Sequence, residues 1–472
     1  QLAEAVPSID NHLWRVSPDG RMETTWKIRP GARWHDGTPF TSDDLVFTLQ
    51  VGMDDELALV RYPAYASIDT IQAPDARTLV ITWKRPFIQA DSLFSIAAAL
   101  PIPKHVLEPT YQEDKSRLLA LPYWTSAYVG TGPYKVRDWV AGSRATLDAF
   151  DAYTLGRPKI DRIEVRFILD PSTLIANILA GEVDLNMGRG ISLEQALQAS
   201  RQWPDGKLDT ALQSWYALYP QFLNPNPPVV ADAQFRRALL HAIDRQQMTN
   251  TFMGGLTSVA DTMVTPSDRE YGEIAARVVN YPFDPRRATQ LIDSLGYTRG
   301  LDGTYRDAAG QRLGIEVRTG AGDELQEKLI LTIADYWQQA GVAAEPLIFP
   351  AQRSNDLEFR QTRPAFEMVR QPSEIIRFHG SSTPLPENGY RGNNRTRYRN
   401  AELDAMIDRY FVTIPWTERM EVLGQIVHHL SDQLVAMGVL YDAQPMLIGN
   451  RLLNVSAAAQ SANAIEWDVR AP

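Results

Sequence analysis

The side chains able to do chemistry are few and scattered. The chain of 472 residues has seven histidines and no cysteine, so thiol catalysis, disulfides and cysteine-held zinc are excluded. His35 and Asp36 adjoin, yet nothing beside them completes an acid–base or nucleophilic set. They read as turn and packing residues. His428 and His429 are consecutive in a helical pattern, so their rings point in different directions and make a poor metal pair. His105 reads as a helix-start residue and His241 as a helix-surface one. The string Gly130-Thr131-Gly132-Pro133-Tyr134-Lys135 lacks the Gly-Lys-Ser/Thr ending of a phosphate loop and the third Gly of a dinucleotide fingerprint. No Gly-x-Ser-x-Gly elbow, His-Glu-x-x-His pair or EF-hand loop is present. The expectation is a protein that is not an enzyme and uses neither metal nor cofactor.

What remains suits holding a molecule. Residues 211–231, ALQSWYALYPQFLNPNPPVVA, carry no charge and are too rich in proline and polar groups to span a membrane. Two readings stay open: a buried strand with its exit loop, or an aromatic strand bearing Trp215, Tyr216, Tyr219 and Phe222 that joins two lobes and lines their cleft. A strand at 366–369 leads into a long loop rich in Gly, Pro and Asn, of a length that tends to be functional. Arg370, Gln371 and Arg377 stand at its start. Residues 437–448 are nearly charge-free, with Tyr441 and Asp442 at their centre, and read as a return crossover.

Composition narrows the partners. Lys and Arg number 47 against 57 Asp and Glu, a net charge of −10, and the one basic cluster, 391–399, reads as a solvated loop. Such a balance argues against gripping nucleic acid or anionic lipid. Charged residues at 22% and hydrophobic ones at 44% fit a soluble globular chain of two or three domains.

The elements that must position these residues follow from pattern. Residues 26–53 read as strand, turn and helix: Asp36-Gly37 makes the turn, and Thr41 with Asp44 forms a capping box before Leu45, Val46 and Leu49. A hairpin is expected within residues 60–83, turning at 73–76, and a helix at 91–99. Strands at 134–140 and 145–150 flank Ala141-Gly142, with another at 159–169. Asp170 caps a helix that Gly181 stops, and 183–187 reads as the second strand of a βαβ crossover. Asp232 caps one helix running to Gly254, and Asp284-Pro285 opens another. Helix 323–340 lies between strands at 315–319 and 342–349, and helices at 403–410 and 417–435 follow. Helices alternate with strands, so the fold class is α/β.

Several of these strings resemble a known family. Ile28, Arg29, Gly31, Trp34, Asp36, Gly37, Pro39, Thr41, Asp44 and Phe47 match the signature of the family 5 extracytoplasmic solute-binding proteins, the dipeptide-, oligopeptide- and nickel-binding components of ABC importers; Ser42 stands where Ala is usual. The segments PIPKHVLE, GTGPY, Gly181-Glu182-Val183-Asp184 and the helix with Arg236, Ala238, Leu239, Ala242, Ile243, Asp244 and Arg245 are similar too. The resemblance implies a two-lobed fold of the periplasmic-binding-protein type II, cluster C, with an extra subdomain in the first lobe. It divides the chain into that subdomain at 1–128, the first-lobe core at 129–222, a second lobe at 223–438 and a return at 439–472. Set against the family's pattern, the sequence is expected to start inside the first lobe, past the usual opening strands, export signal and lipid-anchor cysteine.

The implied function is capture of an oligopeptide or similar small polar solute between the lobes and delivery to ABC permease subunits. It implies a monomer at the periplasmic or extracellular face, tied to the membrane only through an anchor outside this sequence. A sensory module on the same fold, or an enzyme grafted onto it, are the alternatives. Trp215, Tyr216, Tyr219, Arg370, Gln371, Arg377 and Tyr441 are the expected solute contacts. Peptide-binding members often place an Asp after a W-x-x-D-type stretch to hold the peptide ammonium; residues 366–374 offer no Trp and no Asp, and Glu374 could substitute. Arg370 and Arg377 would make those surroundings cationic, favouring an anionic or polyhydroxyl solute.

Overall fold

The computed structural model describes residues 1–17, 19–57, 63–95, 99–188, 190–459 and 461–470. Near the start, four antiparallel strands lie in the order Trp14–Val16, Met22–Lys27, Thr78–Trp83, Ile68–Asp75. Alternation sends Met22, Thr24 and Trp26 inward from one strand and Leu79, Ile81 and Trp83 from its neighbour. Two of the polar atoms this buries satisfy each other, since Trp83 Nε1 donates to Thr24 Oγ1 at 2.9 Å. The helix Ser42–Met53 begins where the signature predicts, with Asp44 accepting the Thr41 N–H at 2.9 Å. The second oxygen of Asp44 accepts the N–H of Lys104 at 3.0 Å, which ties in the helix Lys104–Glu113.

The hairpin turn is displaced from the expected 73–76. Ile68–Asp75 stays paired through a register shift, and the turn falls at Ala76-Arg77, where Asp75 accepts the Arg77 N–H at 2.8 Å. Residues 60–62 and 96–98 of the expected strand and helix lie outside the described residues; the described part of the latter holds the short 3-10 turn Ala90–Ser92.

His35 locks the signature corner to the Gly130–Gly132 loop. Its Nδ1 accepts the Gly130 N–H at 3.1 Å and its Nε2 donates to the Gly132 carbonyl at 3.0 Å, so the ring is neutral in this arrangement. Burial holds its pKa below the ordinary histidine value, helped by Lys135 and opposed by the Gly132 carbonyl and Asp36. The unfolded chain therefore binds this proton more readily. The histidine's contribution to stability is complete above about pH 6.5 and is lost as pH falls through the lowered folded value. Replacing His35 with Asn keeps an acceptor for Gly130 and removes the titration. The variant should show a shallower fall of melting temperature below about pH 6.5 than the parent, since His429, also lowered by burial, titrates in both. Parallel profiles would show that His35 is not the linked group.

A second sheet pairs Tyr134–Val140, Arg144–Ala149 and Arg162–Arg166 antiparallel. The helix Pro171–Leu179 follows, with Asp170 accepting the Thr173 N–H. The expected strand at 183–187 does not form. Leu185 makes one antiparallel bridge to Ile448, in a different sheet from Arg162–Arg166, so no parallel βαβ crossover arises there.

The third sheet has five strands in the order Ala343–Phe349, Gly314–Gly320, Phe366–Gln371, Gly206–Pro220, Met437–Gly449. The first three run parallel, and the last two pair antiparallel along nearly their whole length. Only residues 215–220 of Gly206–Pro220 also pair with Phe366–Gln371. Register shifts interrupt the long pair at Gly438/Leu440 and at Asp442/Ala443. At Gly438 a side chain has no room: an added Cβ would lie 2.0 Å from the Ala260 carbonyl and 2.7 Å from the Trp215 ring.

Helices cover both faces. On one, Tyr216, Leu218, Phe366 and Met368 join residues of Ala233–His241, Pro285–Ser294 and Glu324–Gln339. On the other, Trp215, Ala217, Tyr219 and Tyr441 pack under Ala401–Val412 and Trp416–Asp432. The single helix expected from 233 to 253 is two, Ala233–His241 and Arg245–Met253. Asp244 accepts the Gln247 N–H at 2.8 Å and so caps a second helix start inside the run.

Candidate functional site

Three parallel strands end at the same side of the five-stranded sheet, at Gly320, Phe349 and Gln371. In an open α/β sheet the crevice beyond such carboxyl ends is where ligands bind. Arg370 stands there, paired across the ladder with Tyr216. Its Nη1 lies 3.6 Å from Asp323 Oδ2 and 3.6 Å from Asp442 Oδ2. Asp323 is the N-cap of Glu324–Gln339, accepting the Gln326 N–H, while the Gln326 side chain accepts the Arg370 N–H at 3.1 Å. Asp442 accepts the Ser214 hydroxyl at 3.0 Å, beside the register shift that bends the long pair. One guanidinium, two carboxylates, a serine and a glutamine thus meet where the five-stranded sheet narrows to two strands.

This polar cluster is partly open to solvent. The side chains of Arg370, Asp323 and Asp442 are 20%, 19% and 10% exposed, whereas their aromatic neighbours are closed off. Trp215, Tyr216, Tyr219 and Tyr441 are all buried. Strand alternation puts Tyr216 in one core and Trp215, Tyr219 and Tyr441 in the other. Burial pushes the Tyr441 phenol far up; its hydroxyl lies 3.0 Å from each of the Thr262 and Val264 carbonyls. Tyr216 keeps a tie to the cluster, with the Arg370 guanidinium 5.9 Å from its ring centroid. Gln371 is buried beside Trp215 in the ladder.

The surroundings of Arg370 are not cationic as the sequence suggests. Asp323 and Asp442 outnumber its charge, and Arg377 is paired with Glu374 at 2.6 Å. The expected surplus arose because Asp323 and Asp442 approach only through the fold. Arg377 and Glu374 form their own pair in the following loop.

No group of three or more His, Asp or Glu able to hold a metal ion occurs among the described residues. His428 Nδ1 lies 3.1 Å from the Arg277 carbonyl, while His429 Nε2 meets the Tyr398 hydroxyl at 3.1 Å, so the two rings do diverge. A cavity of about 590 Å³ lies elsewhere, between the first sheet and the loop 128–134. Its walls include Trp26, Ile28, Phe40, Phe94 and Tyr128, and it shares no residue with the Arg370 cluster. No helix among the described residues is long and apolar enough to cross a membrane.

The α/β fold is that of the cluster C periplasmic binding proteins. It overlays AppA of Bacillus subtilis, an oligopeptide-binding protein solved with a nonapeptide, at a TM-score of 0.74 with 18% identity, covering 100% of this chain and 90% of that one. It overlays NikA of Brucella suis, solved with Fe(III)-EDTA, at 0.80 with 18% identity, covering 100% and 91%. Residues 4–372 match the family described as bacterial extracellular solute-binding proteins, family 5. The chain belongs to that family, and its members bind solutes rather than transform them. A putative ABC transporter peptide-binding protein of Brucella ovis is 30% identical over 291 residues, 61% of this chain and 51% of that relative. The chain thus spans about half the length of the first curated relatives it matches.

Proposed function

We propose that this protein captures a small polar solute, in the first instance an oligopeptide, between two α/β lobes and delivers it to the permease of an ABC importer outside the cytoplasm. The lobes of this reading are residues 129–222 with 439–472, bearing the subdomain 1–128, and residues 223–438. The paired strands Gly206–Pro220 and Met437–Gly449 are then the connection between them, and their shift at Asp442/Ala443 is the natural place to bend. Closure is favoured only by contacts the solute makes with both sides, so no bond chemistry is needed.

The observation that carries the reading is Arg370 held between Asp323 and Asp442 at the strand ends. Two carboxylates against one guanidinium leave an excess of negative charge, which suits a ligand presenting an ammonium group near Asp323 or Asp442 and a carbonyl near Arg370. A peptide amino terminus has that chemistry, and the peptide-binding names among the relatives agree with it. Gln371 and Arg377 are the further polar contacts of this reading, while Trp215, Tyr216, Tyr219 and Tyr441 hold the strands that carry the site.

Native mass spectrometry of gently purified protein should show a retained solute, and calorimetry with peptides of three to five residues should then give saturable heats. Acetylating the peptide amino terminus, or replacing Arg370 with Ala, should weaken binding about tenfold or more, as loss of a hydrogen bond to a charged group does. Equal affinity for acetylated peptide would remove the ammonium from the site, and unchanged affinity in the variant would remove Arg370.

A further inference from the structure

On the other face of the five-stranded sheet, four guanidinia gather around one buried carboxylate. Arg395 Nη1 lies 3.3 Å from Glu367 Oε2, Arg363 Nη1 3.7 Å from the same atom, and Arg360 Nε 3.9 Å from Oε1. Arg318, opposite Glu367 in the parallel ladder, has its Nη1 3.9 Å from Glu316. Glu367 is three residues from Arg370 on the same strand, so alternation turns the two to opposite faces. Four positive groups are thus set against two negative ones. Burial raises the pKa of Glu316, which makes it the weaker counter-charge.

The guanidinia are held in place but not fully satisfied. Arg318 Nη2 donates to the Phe359 and Arg360 carbonyls at 2.6 and 2.9 Å, and Arg363 Nη2 donates to the Arg395 carbonyl at 2.6 Å. Yet Arg363 Nη1, Arg318 Nε and Arg360 Nε make no hydrogen bond among the described residues, although the side chains of Arg363 and Arg318 are 0% and 3% exposed. Burial pulls Arg363 down to about 9 and lowers Arg318 and Arg360 as well. A buried guanidinium N–H without an acceptor is costly, and guanidinia are suited to oxyanions. The cluster reaches solvent through Arg360 and Arg395, whose side chains are 19% and 17% exposed.

We propose that this cluster is a binding site for a small divalent inorganic oxyanion of the phosphate or sulfate type, entered at its Arg360–Arg395 edge. Two negative charges offset the two positive ones that the carboxylates leave over. The site braces the strand Phe366–Gln371 from behind and is separate from the Arg370 cluster, so anion and solute should not compete. The inference does not depend on the identity of the solute.

The test is thermal unfolding with sodium sulfate or sodium phosphate against sodium chloride at matched ionic strength. In the unaltered protein either oxyanion should raise the midpoint by a few degrees and the rise should saturate; Arg395→Gln should abolish the saturable part. Arg353→Gln, which alters an exposed arginine paired with Asp356 just outside the cluster, should keep it. A rise that never saturates, or one equal in Arg395→Gln, is general salt exclusion and overturns the proposal. Should Arg395→Gln fail to fold, Arg360→Gln gives the same readout. Should both fail, titration calorimetry of inorganic phosphate into the unaltered protein decides: one saturable site supports the proposal and no saturable heat overturns it.

Discussion

Replacing Glu367 with Gln should destabilise the protein by about 3–5 kcal/mol, because it leaves buried guanidinia without their shared counter-charge. Glu367 is buried with Arg363 behind it and Arg360, Arg395 and Arg318 around it. Burial alone would raise its pKa; the four guanidinia, Arg395 foremost, hold it below the usual carboxylate range instead. A folded value that is lowered gives stability present above the unfolded value, about 4.3, and lost as pH falls through the folded one. Gln is isosteric, so the change removes charge and little volume. Urea unfolding at neutral pH should show a lower midpoint, and the parent's extra stability should shrink on acidification. Equal midpoints would mean that backbone carbonyls alone satisfy the arginines.

The second large effect is expected at Trp337. Its side chain is 0% exposed, it tilts against Phe366 with centroids 5.2 Å apart, and its Nε1 donates to the Leu239 carbonyl at 2.9 Å. Truncation to Ala removes that packing, opens a cavity between the helix Glu324–Gln339 and the sheet, and leaves a buried carbonyl without its donor. The cost should be about 3–5 kcal/mol, read as a lowered urea midpoint. Trp337→Phe keeps most of the packing and should cost clearly less. If both variants lost the same small amount, the region would be able to collapse around the gap.

Much of this was legible along the chain. Period-two runs such as Met22–Lys27 and caps such as Asp170 and Asp284 act over three or four residues, so local pattern suffices to place them. Where two local signals competed, pattern misled. Apolar periodicity carried the helix through Ala242–Asp244, but Asp244 turned its side chain to the backbone and started a new one. The segment 183–187 has strand composition, yet only Leu185 finds a partner. The candidate site was half visible: Arg370 stood out, but Asp323 and Asp442 come from distant parts of the chain, and their arrival reversed the inferred charge. The aromatic run 215–219 looked like a cleft wall because composition reports apolarity and not the direction in which each ring points. Arg395 reads along the chain only as part of a solvated basic loop, and Glu367 does not stand out, since a charged residue in a strand reads as solvent-facing until both faces are known to be covered.

Two lobes joined by the strands Gly206–Pro220 and Met437–Gly449 should close on a solute near Arg370, Asp323 and Asp442. Small-angle X-ray scattering of the protein before and after addition of the solute identified by mass spectrometry tests it directly. A smaller radius of gyration on binding, with the change lost in Arg370→Ala at the same solute concentration, is the predicted result. Superimposable curves from the unaltered protein at saturating solute would contradict it.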